Sequence, residues 1–244
     1  MYTWQVDGEF IEDVNVLTVV SYNIHYGRGL DGKINLDRTI ETLLEAKADI
    51  ISLQEVERYS VRTLFTDQVN QIAVALNMNI LYYPSISYPG LYYGNVILSR
   101  FPIVDKEILA FSNNREDRSA LVAKLKLSAE EELVIINTHL GLNKNERKNA
   151  IKVINKLIKG IETPVFLTGD LNSTPEMNEY EIWTDRLKKS NQGTPLQTFN
   201  KRNWQIDYIF HSHHFEVKDV YVMDSAASDH YPIVGLFQFK SKKH

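Results

Sequence analysis

A carboxylate and an amide stand two residues apart in Gly169-Asp170-Leu171-Asn172, directly after an apolar segment. In an extended chain the side chains of Asp170 and Asn172 point to the same face. Together they could hold a metal-bound water and steady a charged oxygen. The same pattern is typical of an Asx turn that closes a strand, so the cluster alone leaves both interpretations open.

A second cluster, Ser228-Asp229-His230, precedes the last apolar segment. An adjacent Asp and His suit a metal ligand beside a general base, or a base beside the group that orients it; a surface turn is the alternative. Asp207 lies inside the aromatic segment Ile206–Phe210. A carboxylate there needs a partner, and a histidine is the natural one.

Three more polar residues stand where earlier apolar segments end, namely Asn23, Glu55 and His139. Glu55 is either a ligand of a hard cation or half of an ion pair with Arg58 or a similar residue. One carboxylate with nearby Asn and Asp matches Mg²⁺, whereas several imidazoles would have indicated zinc. Taken singly, Asn23 would cap backbone groups and His139 would be a packing residue.

Other candidates surround these residues. His25 either joins the site or stacks near its rim, and Arg118 either reaches a phosphate or forms a salt bridge at a strand edge. Tyr93 ends a tyrosine-rich loop predicted over residues 82–93, whose rings either stack on a base or sugar, lie against lipid headgroups, or only pack. The run His211–His214 is expected to be a solvated turn rather than a metal site.

The elements that carry these residues form an arrangement that occurs twice. An apolar strand, a polar cluster, a helix and a second strand with an acid at its end cover residues 16–55 and again 133–172. Parallel strands joined through a helix share a direction, so their polar ends meet at one edge of a sheet. The repeat therefore predicts one pocket lined with carboxylates, amides and imidazoles.

Periodicity predicts helices over residues 36–44 with Asn35 as cap, from 66 to 76, and from 146 to 158 with Gly160 as stop, plus a shorter helix over 176–187. Strands are predicted at 16–21, 49–54, 95–99, 103–110, 119–127, 132–137, 165–168, 206–210, 216–222 and 232–239. Many strands with few helices indicate two sheets packed face to face with helices outside. No linker divides the chain, so we expect a single domain over residues 1–244 with its core at about 16–239.

The net charge, the absence of cysteine and the lack of long apolar runs limit the classes of function that this chain is expected to have. The net charge is −4 and the pI about 6.0, whereas proteins that grip long nucleic acid through its phosphates are usually more basic. The chain has no cysteine, which excludes disulfides and leaves oxygen and nitrogen ligands for any metal. No apolar run approaches ~20 residues and residues 1–15 lack a signal-peptide pattern. We expect a cytoplasmic protein without a transmembrane segment, or a secreted one if a leader was removed.

Seven motifs, in order along residues 16–239, resemble those of the endonuclease/exonuclease/phosphatase superfamily, which includes pancreatic-type deoxyribonuclease, abasic-site endonucleases and neutral sphingomyelinases. They are Ser21-Tyr22-Asn23-Ile24-His25, Leu53-Gln54-Glu55-Val56, Gly94-Asn95-Val96-Ile97-Leu98-Ser99-Arg100, Asn137-Thr138-His139-Leu140, Gly169-Asp170-Leu171-Asn172, Ile206-Asp207-Tyr208-Ile209-Phe210 and Ser228-Asp229-His230. The resemblance implies a deoxyribonuclease-like, four-layer α/β sandwich.

The resemblance also implies roles for individual residues. Glu55 would be the principal Mg²⁺ ligand with Asn23 beside it, and Asp229 a second carboxylate on the metal side. Asp170 and Asn172 would position and activate water and hold a phosphoryl oxygen. His230, oriented by Asp207, would act as acid or base or polarise the phosphate, and His139 would contact the phosphate. His25, Tyr93 and Arg118 would lie on the substrate side.

The activity implied is Mg²⁺-dependent hydrolysis of a phosphodiester or phosphomonoester, with Mn²⁺ a possible substitute. The substrate would be a nucleic acid, a phospholipid headgroup or a small phosphorylated metabolite, and no protein partner is inferred. The chain lacks room for the long insertions of groove-binding nucleases and has no 5-phosphatase signature. The alternative is a catalytically silent module that binds a phosphorylated ligand; such relatives usually lose the metal Glu or the Asp–His pair, both present here.

Overall fold

The apolar strands of this chain assemble into two β-sheets that pack against each other. The computed structural model describes residues 1–4, 15–113, 116–183 and 186–240. Side chains from both sheets, among them Leu17, Ile50, Ile135 and Phe166, are fully buried in the layer between them. This interior layer holds the relative position of the two sheets, because apolar surface is removed from water on both sides at once.

The strands are β1 (Tyr2–Trp4), β2 (Val16–Asn23), β3 (Ile50–Arg58), β4 (Asn79–Tyr88), β5 (Leu91–Ser99), β6 (Ile103–Phe111), β7 (Arg118–Lys126), β8 (Glu132–His139), β9 (Val165–Asp170), β10 (Leu187–Lys189), β11 (Asp207–Ser212), β12 (Phe215–Val222) and β13 (Ile233–Phe239). The first sheet has the order β1-β4-β5-β3-β2-β13-β12, and the second has the order β10-β11-β9-β8-β7-β6. Each sheet is mixed. Its parallel pair is β2–β3 in the first sheet and β8–β9 in the second.

The helices are α1 (Leu36–Ala46), α2 (Gln68–Leu76) and α3 (Lys144–Lys159). Each begins at a side-chain cap, in which Asn35, Asp67 or Asn143 accepts backbone N–H bonds of the first turn. Helices α1 and α2 bury their apolar faces against the first sheet, and α3 buries its face against the second. The result is four layers, helix–sheet–sheet–helix, as predicted.

The topology puts the polar strand ends at one edge of the molecule. Strands β2, β3, β8 and β9 run toward this edge, while β5, β7, β11 and β13 are antiparallel to a neighbour among them and begin there. We call it the catalytic edge. The loops after β2, β3, β8 and β9 therefore meet the β4–β5 hairpin and the segments that lead into β7, β11 and β13.

All ten predicted strands are present, but three segments differ from expectation. The tyrosine-rich segment is not a loop: residues 79–88 and 91–99 pair as the antiparallel hairpin β4–β5. The helix predicted over 176–187 is absent from its described part, where a 3-10 turn covers Tyr180–Ile182 and Leu187 begins β10; residues 184–185 lie outside the described ranges. Instead of a helix the backbone forms successive turns, in which the N–H of Met177 donates to the carbonyl of Thr174 and the N–H of Tyr180 to that of Met177.

The histidine run was also misjudged. His211 and Ser212 are buried at the end of β11, and only His213 and His214 form a turn. His211 hydrogen-bonds through Nδ1 to the hydroxyl of Ser190, 2.9 Å away.

In the described part of the chain, none of the helices combines the length and the apolar character needed to cross a bilayer.

Candidate active site

One side chain joins the two sheets at the catalytic edge. Asn23, the last residue of β2, donates through Nδ2 to Oε1 of Glu55 at 3.0 Å and to Oδ2 of Asp170 at 3.1 Å. Its own Oδ1 accepts the backbone N–H of His25 at 3.0 Å, which fixes the orientation of the amide. The polar ends of β3 in one sheet and β9 in the other are thus held together by a single amide group.

Glu55 reaches this position through an irregularity in β3. The pairing of β3 with β5 shifts between Leu53 and Val56, and Glu55 within the bulge has φ +60°. A left-handed conformation is unfavourable for glutamate, and bulges are common where a strand must re-aim a side chain. The expected ion-pair alternative is not formed with Arg58, because that guanidinium binds Asp67.

Asp170 ends β9 where the backbone turns sharply. Gly169 has φ +138°, and a Cβ atom there would lie 1.8 Å from the carbonyl oxygen of Thr138. Asn172 has φ +47° and donates its backbone N–H to Oδ1 of Asp170 at 2.9 Å. Burial, together with the neighbouring charge of Asp207, raises the pKa of Asp170 to about 7.

Asp207 and His230 form a buried pair beside Asp170. Nδ1 of His230 lies 2.9 Å from Oδ2 of Asp207, while its Nε2 faces Oδ2 of Asp170 at 3.9 Å. Burial alone would lower the pKa of His230, but the attraction of Asp207 and then of Asp170 outweighs it and raises the pKa to about 10. Phe199 packs against the imidazole with ring centroids 4.9 Å apart. The ring is therefore oriented by a carboxylate and carries a proton at neutral pH.

His139, at the end of β8, has the opposite character. Its Nδ1 lies 3.1 Å from NH1 of Arg118, which can only donate, so Nδ1 must accept and the ring proton resides on Nε2. Nε2 lies 3.2 Å from Nδ2 of Asn172 and 3.5 Å from Oδ2 of Asp170, and of these two only the carboxylate can accept that proton. Burial and then the Arg118 charge hold the pKa of His139 well below its usual range.

Arg118 is anchored on its other side. It forms an ion pair with Glu116 at 2.7 Å and hydrogen-bonds to the hydroxyl of Tyr93. Tyr93 is buried next to Glu55, and burial followed by that charge raises its pKa well above the ordinary value. Arg118 therefore forms the expected salt bridge and also contacts His139, while its contact with a phosphate stays a prediction.

Asp229 does not point toward Glu55. Its Oδ1 lies 3.1 Å from Nδ1 of His25 and its Oδ2 lies 2.7 Å from Nζ of Lys201. These contacts, after burial which opposes them, lower the pKa of Asp229. Both oxygens expected to face a metal are therefore occupied by basic groups, and His25 stands with them at the rim.

The structure brings together most of the predicted residues and adds three that sequence reasoning missed. Among the described residues, Asp170, Asp207 and His230 can place one ligand atom each within 4.8 Å of one another. Glu116, Lys201 and Ser228 are the additions: Ser228 donates to the carbonyl of Asn23 and accepts from the N–H of His230. Ser228 directly precedes the Asp–His pair, so its position was the available signal; Glu116 and Lys201 lie in loops and gave none.

A family sequence model and a curated relative both match this chain. A sequence model described as the Endonuclease/Exonuclease/phosphatase family matches residues 20–230. The "UPF0294 protein" of Vibrio campbellii is 29% identical over 135 residues, which are 50% of this chain. The matched region is 46% of that relative, so the chain spans about half the length of that curated protein.

Solved structures share the fold. An endonuclease/exonuclease/phosphatase from Bacteroides vulgatus superposes with a TM-score of 0.79 at 19% identity, covering 92% of this chain and 99% of that one. The mannosyl-6-phosphatase Bt3783 of Bacteroides thetaiotaomicron superposes with a TM-score of 0.75 at 21% identity, covering 91% and 100%. At such identities the likeness establishes the architecture alone.

Proposed function

Because the chain belongs to the endonuclease/exonuclease/phosphatase family, we propose that it is a divalent-cation-dependent phosphoesterase that hydrolyses a phosphodiester through attack of an activated water. The observation that carries this proposal is the convergence of Glu55 and Asp170 on the amide of Asn23, with the Asp207–His230 pair beside Asp170. Ordinary packing has no need of three carboxylates and two imidazoles at one strand edge, since burying them is unfavourable.

The donor set suits a hard cation. Within the described ranges, no lysine or arginine is bonded to Glu55 or Asp170, and the buried Oδ1 of Asp207 has no hydrogen-bond partner. We infer that Glu55 would hold Mg²⁺, or Mn²⁺ in its place, through its carboxylate oxygens, with Asn23 placed beside it by the hydrogen bond from Nδ2 to Glu55. Such an ion supplies charge neutralisation for phosphoryl oxygens and a lower pKa for bound water.

In this proposal Asp170 accepts the proton of the attacking water. It is nine-tenths buried or more, and its raised pKa of about 7 suits a base that works near neutral pH. Asn172, held by its backbone bond to Asp170, offers its amide to the phosphoryl group or the water. The turn at Gly169 sets the position of both side chains.

The two histidines would serve different oxygens. His230, protonated and held by Asp207, places a positive charge beside Asp170 and can give a proton to the departing oxygen. His139, neutral with its proton on Nε2, can donate a hydrogen bond to a nonbridging oxygen as negative charge develops there. We leave Asp229 out of the metal site and assign it to the positioning of His25 and Lys201.

The test is hydrolysis of bis(p-nitrophenyl) phosphate and of a phosphomonoester panel, assayed with Mg²⁺, with Mn²⁺ and with a chelator. The monoesters are included because one structural neighbour is a mannosyl-6-phosphatase. We expect activity that the chelator abolishes and that Asp170→Ala or His230→Ala lowers by about 10²–10⁴-fold. His211→Ala is the matched control, since His211 is also buried but bonds only to Ser190 at 2.9 Å.

If the chain hydrolysed no ester with either cation and bound Mg²⁺ weakly or not at all, the proposal would be wrong. The chain would then be a catalytically silent module that binds a phosphorylated ligand. For nucleic acids the diagnostic is ionic strength, because cleavage that depends on phosphate neutralisation falls steeply as salt rises. With a net charge of −4 we expect little cleavage of duplex DNA.

A further inference from the structure

The most exposed apolar side chains of the molecule cluster at the catalytic edge. Among the residues that the structure describes, the five most exposed large apolar side chains are Leu64 (86%), Leu142 (77%), Tyr88 (66%), Met1 (64%) and Val61 (63%), and Phe65 follows at 62%. All except Met1 lie in loops or strand ends at this edge. We call Val61, Leu64, Phe65, Tyr88 and Leu142 the apolar rim.

The rim is built on both sheets. Val61, Leu64 and Phe65 follow β3, which carries Glu55, and Tyr88 ends β4 in the adjacent hairpin. Leu142 follows β8, which ends at His139. Because these strands run toward the catalytic edge, the rim residues lie on separate segments of both sheets at the same edge as the proposed site.

The part of the rim after β3 is held in a strained shape. Leu64 has φ +53° and Phe65 has φ +59°, a region that bulky side chains rarely adopt. The backbone N–H of Val61 donates to the carbonyl of Gly90 at 3.1 Å, so this turn and the β4–β5 hairpin form one protrusion. The backbone N–H groups of Leu64 and Phe65 close this turn on the carbonyls of Val61 and Ser60, and both side chains face solvent.

Cationic side chains stand directly beside the rim. Arg62, between Val61 and Leu64, forms an ion pair with the buried Glu57 and lies over the ring of Tyr26 at 3.8 Å. Lys144 is exposed two residues after Leu142. Apolar tips with tyrosine and basic residues at their base are the composition of a surface that meets lipid, with apolar groups in the acyl region and cations among phosphates.

We propose that the apolar rim inserts into the surface of a phospholipid bilayer, so that the site receives phosphodiesters presented at that surface. Exposed apolar side chains carried on separate segments suit a deformable apolar medium better than a rigid protein face, which needs a continuous complementary patch. The inference that the chain binds a bilayer depends on the apolar rim alone. The inference that the site receives phosphodiesters from that bilayer rests on the proposed function.

The test is cosedimentation of the full chain with phosphatidylcholine vesicles, with and without one-fifth phosphatidylserine, in a chelator so that catalysis plays no part. The informative variant is Leu64→Asn/Phe65→Asn, because asparagine tolerates the left-handed backbone at both positions and should preserve the fold. We expect it to bind vesicles at least about tenfold more weakly than the wild type, since each side chain loses its apolar burial.

The matched control is Leu44→Asn/Val74→Asn, which removes two exposed apolar side chains from α1 and α2, away from the catalytic edge. It should bind vesicles as the wild type does. Equal loss in both variants, or no vesicle binding by the wild type, would overturn the inference. A wild-type dimer that Leu64→Asn/Phe65→Asn dissolves would assign the rim to a second copy of the chain instead.

Activity separates this inference from the proposed function. Leu64→Asn/Phe65→Asn should hydrolyse the soluble bis(p-nitrophenyl) phosphate at the wild-type rate, whatever it does with vesicles. If the soluble diester is not hydrolysed by any form while vesicle binding follows the rim, the proposed reaction is wrong and the surface assignment stands. If the soluble diester is hydrolysed normally and the protein does not bind vesicles, the proposed reaction stands and the surface assignment is wrong.

Discussion

Nδ1 of His230 lies 2.9 Å from Oδ2 of Asp207, and the second oxygen of that buried carboxylate has no hydrogen-bond partner among the described residues. The two residues come from different sheets, since Asp207 begins β11 and His230 precedes β13. The pair therefore acts both as an interaction between the layers and as the source of the raised His230 pKa. Removing the Asp207–His230 pair should change both the free energy of unfolding and the rate of the proposed reaction, and measuring each against pH separates the two effects.

The stability of the metal-free protein should depend on pH through this pair. The pKa of His230 is about 10 when folded and 6.5 when unfolded, so its contribution is complete below pH 6.5 and disappears as pH rises toward 10. We expect the free energy of unfolding to fall by on the order of 3 kcal/mol across this window. Urea unfolding at pH 6, 8 and 10 measures it, and Asp207→Asn should show a much smaller fall. An equal fall in both proteins would contradict the assignment.

Cation binding should stabilise the protein through Glu55. At a hundredfold excess over its dissociation constant, a ligand of the folded state adds about 2.7 kcal/mol. For a chain of this size that raises Tm by roughly 5–10 °C. We expect this rise with Mg²⁺ or Mn²⁺ in the wild type and in Glu45→Gln, whose side chain is exposed on α1, but not in Glu55→Gln. Retention of the full rise in Glu55→Gln would place the cation elsewhere.

His139 should be neutral, with its proton on Nε2, at pH 7 and above. Burial and Arg118 hold its pKa well below 6.5, and the guanidinium leaves Nδ1 only the acceptor role. Nitrogen chemical shifts of the ring, measured by NMR, report the tautomer directly. In Arg118→Met we expect a mixture of tautomers and a fall in kcat of about tenfold or more. A ring that titrates near pH 6.5 in the wild type would refute this reading of His139.

Gly169→Ala should destabilise the protein severely. A Cβ at this position would lie 1.8 Å from the carbonyl oxygen of Thr138, and the φ of +138° is unfavourable for alanine. We expect a loss of more than about 3 kcal/mol, measured by denaturant unfolding. Gly160→Ala is the control: its φ is −88° and its nearest contact is 3.4 Å, so the change should stay within about 1 kcal/mol.

The fold was predictable because its signals are local. Alternating and apolar runs identified ten strands, and Asn35 caps a helix where expected. The hairpin formed by β4 and β5 was missed, since Pro84, Tyr88 and Gly90 are typical of loops and only pairing with β3 and β1 makes this segment a strand. Tertiary context decided the assignment there.

The candidate site was predictable in its residue types and in the Asp207–His230 contact, but not in the contacts of Asp229. Adjacency suggested that Asp229 and His230 act together, yet His230 pairs with Asp207 and Asp229 pairs with His25 and Lys201. Neighbouring residues near a strand point to opposite sides, so their partners come from distant parts of the chain. The left-handed Glu55 could not be anticipated either, because a bulge depends on the register of β5.

The amide of Asn23 spans the two sheets, so the proposed reaction should depend on how those layers are joined. Heat or mutation that lets the layers slide by one ångström breaks the 3.0 Å and 3.1 Å bonds of that amide while leaving each sheet internally paired. Turnover should then cease before circular dichroism records any melting, so an inactive preparation with an intact spectrum has suffered displacement of layers rather than loss of strands.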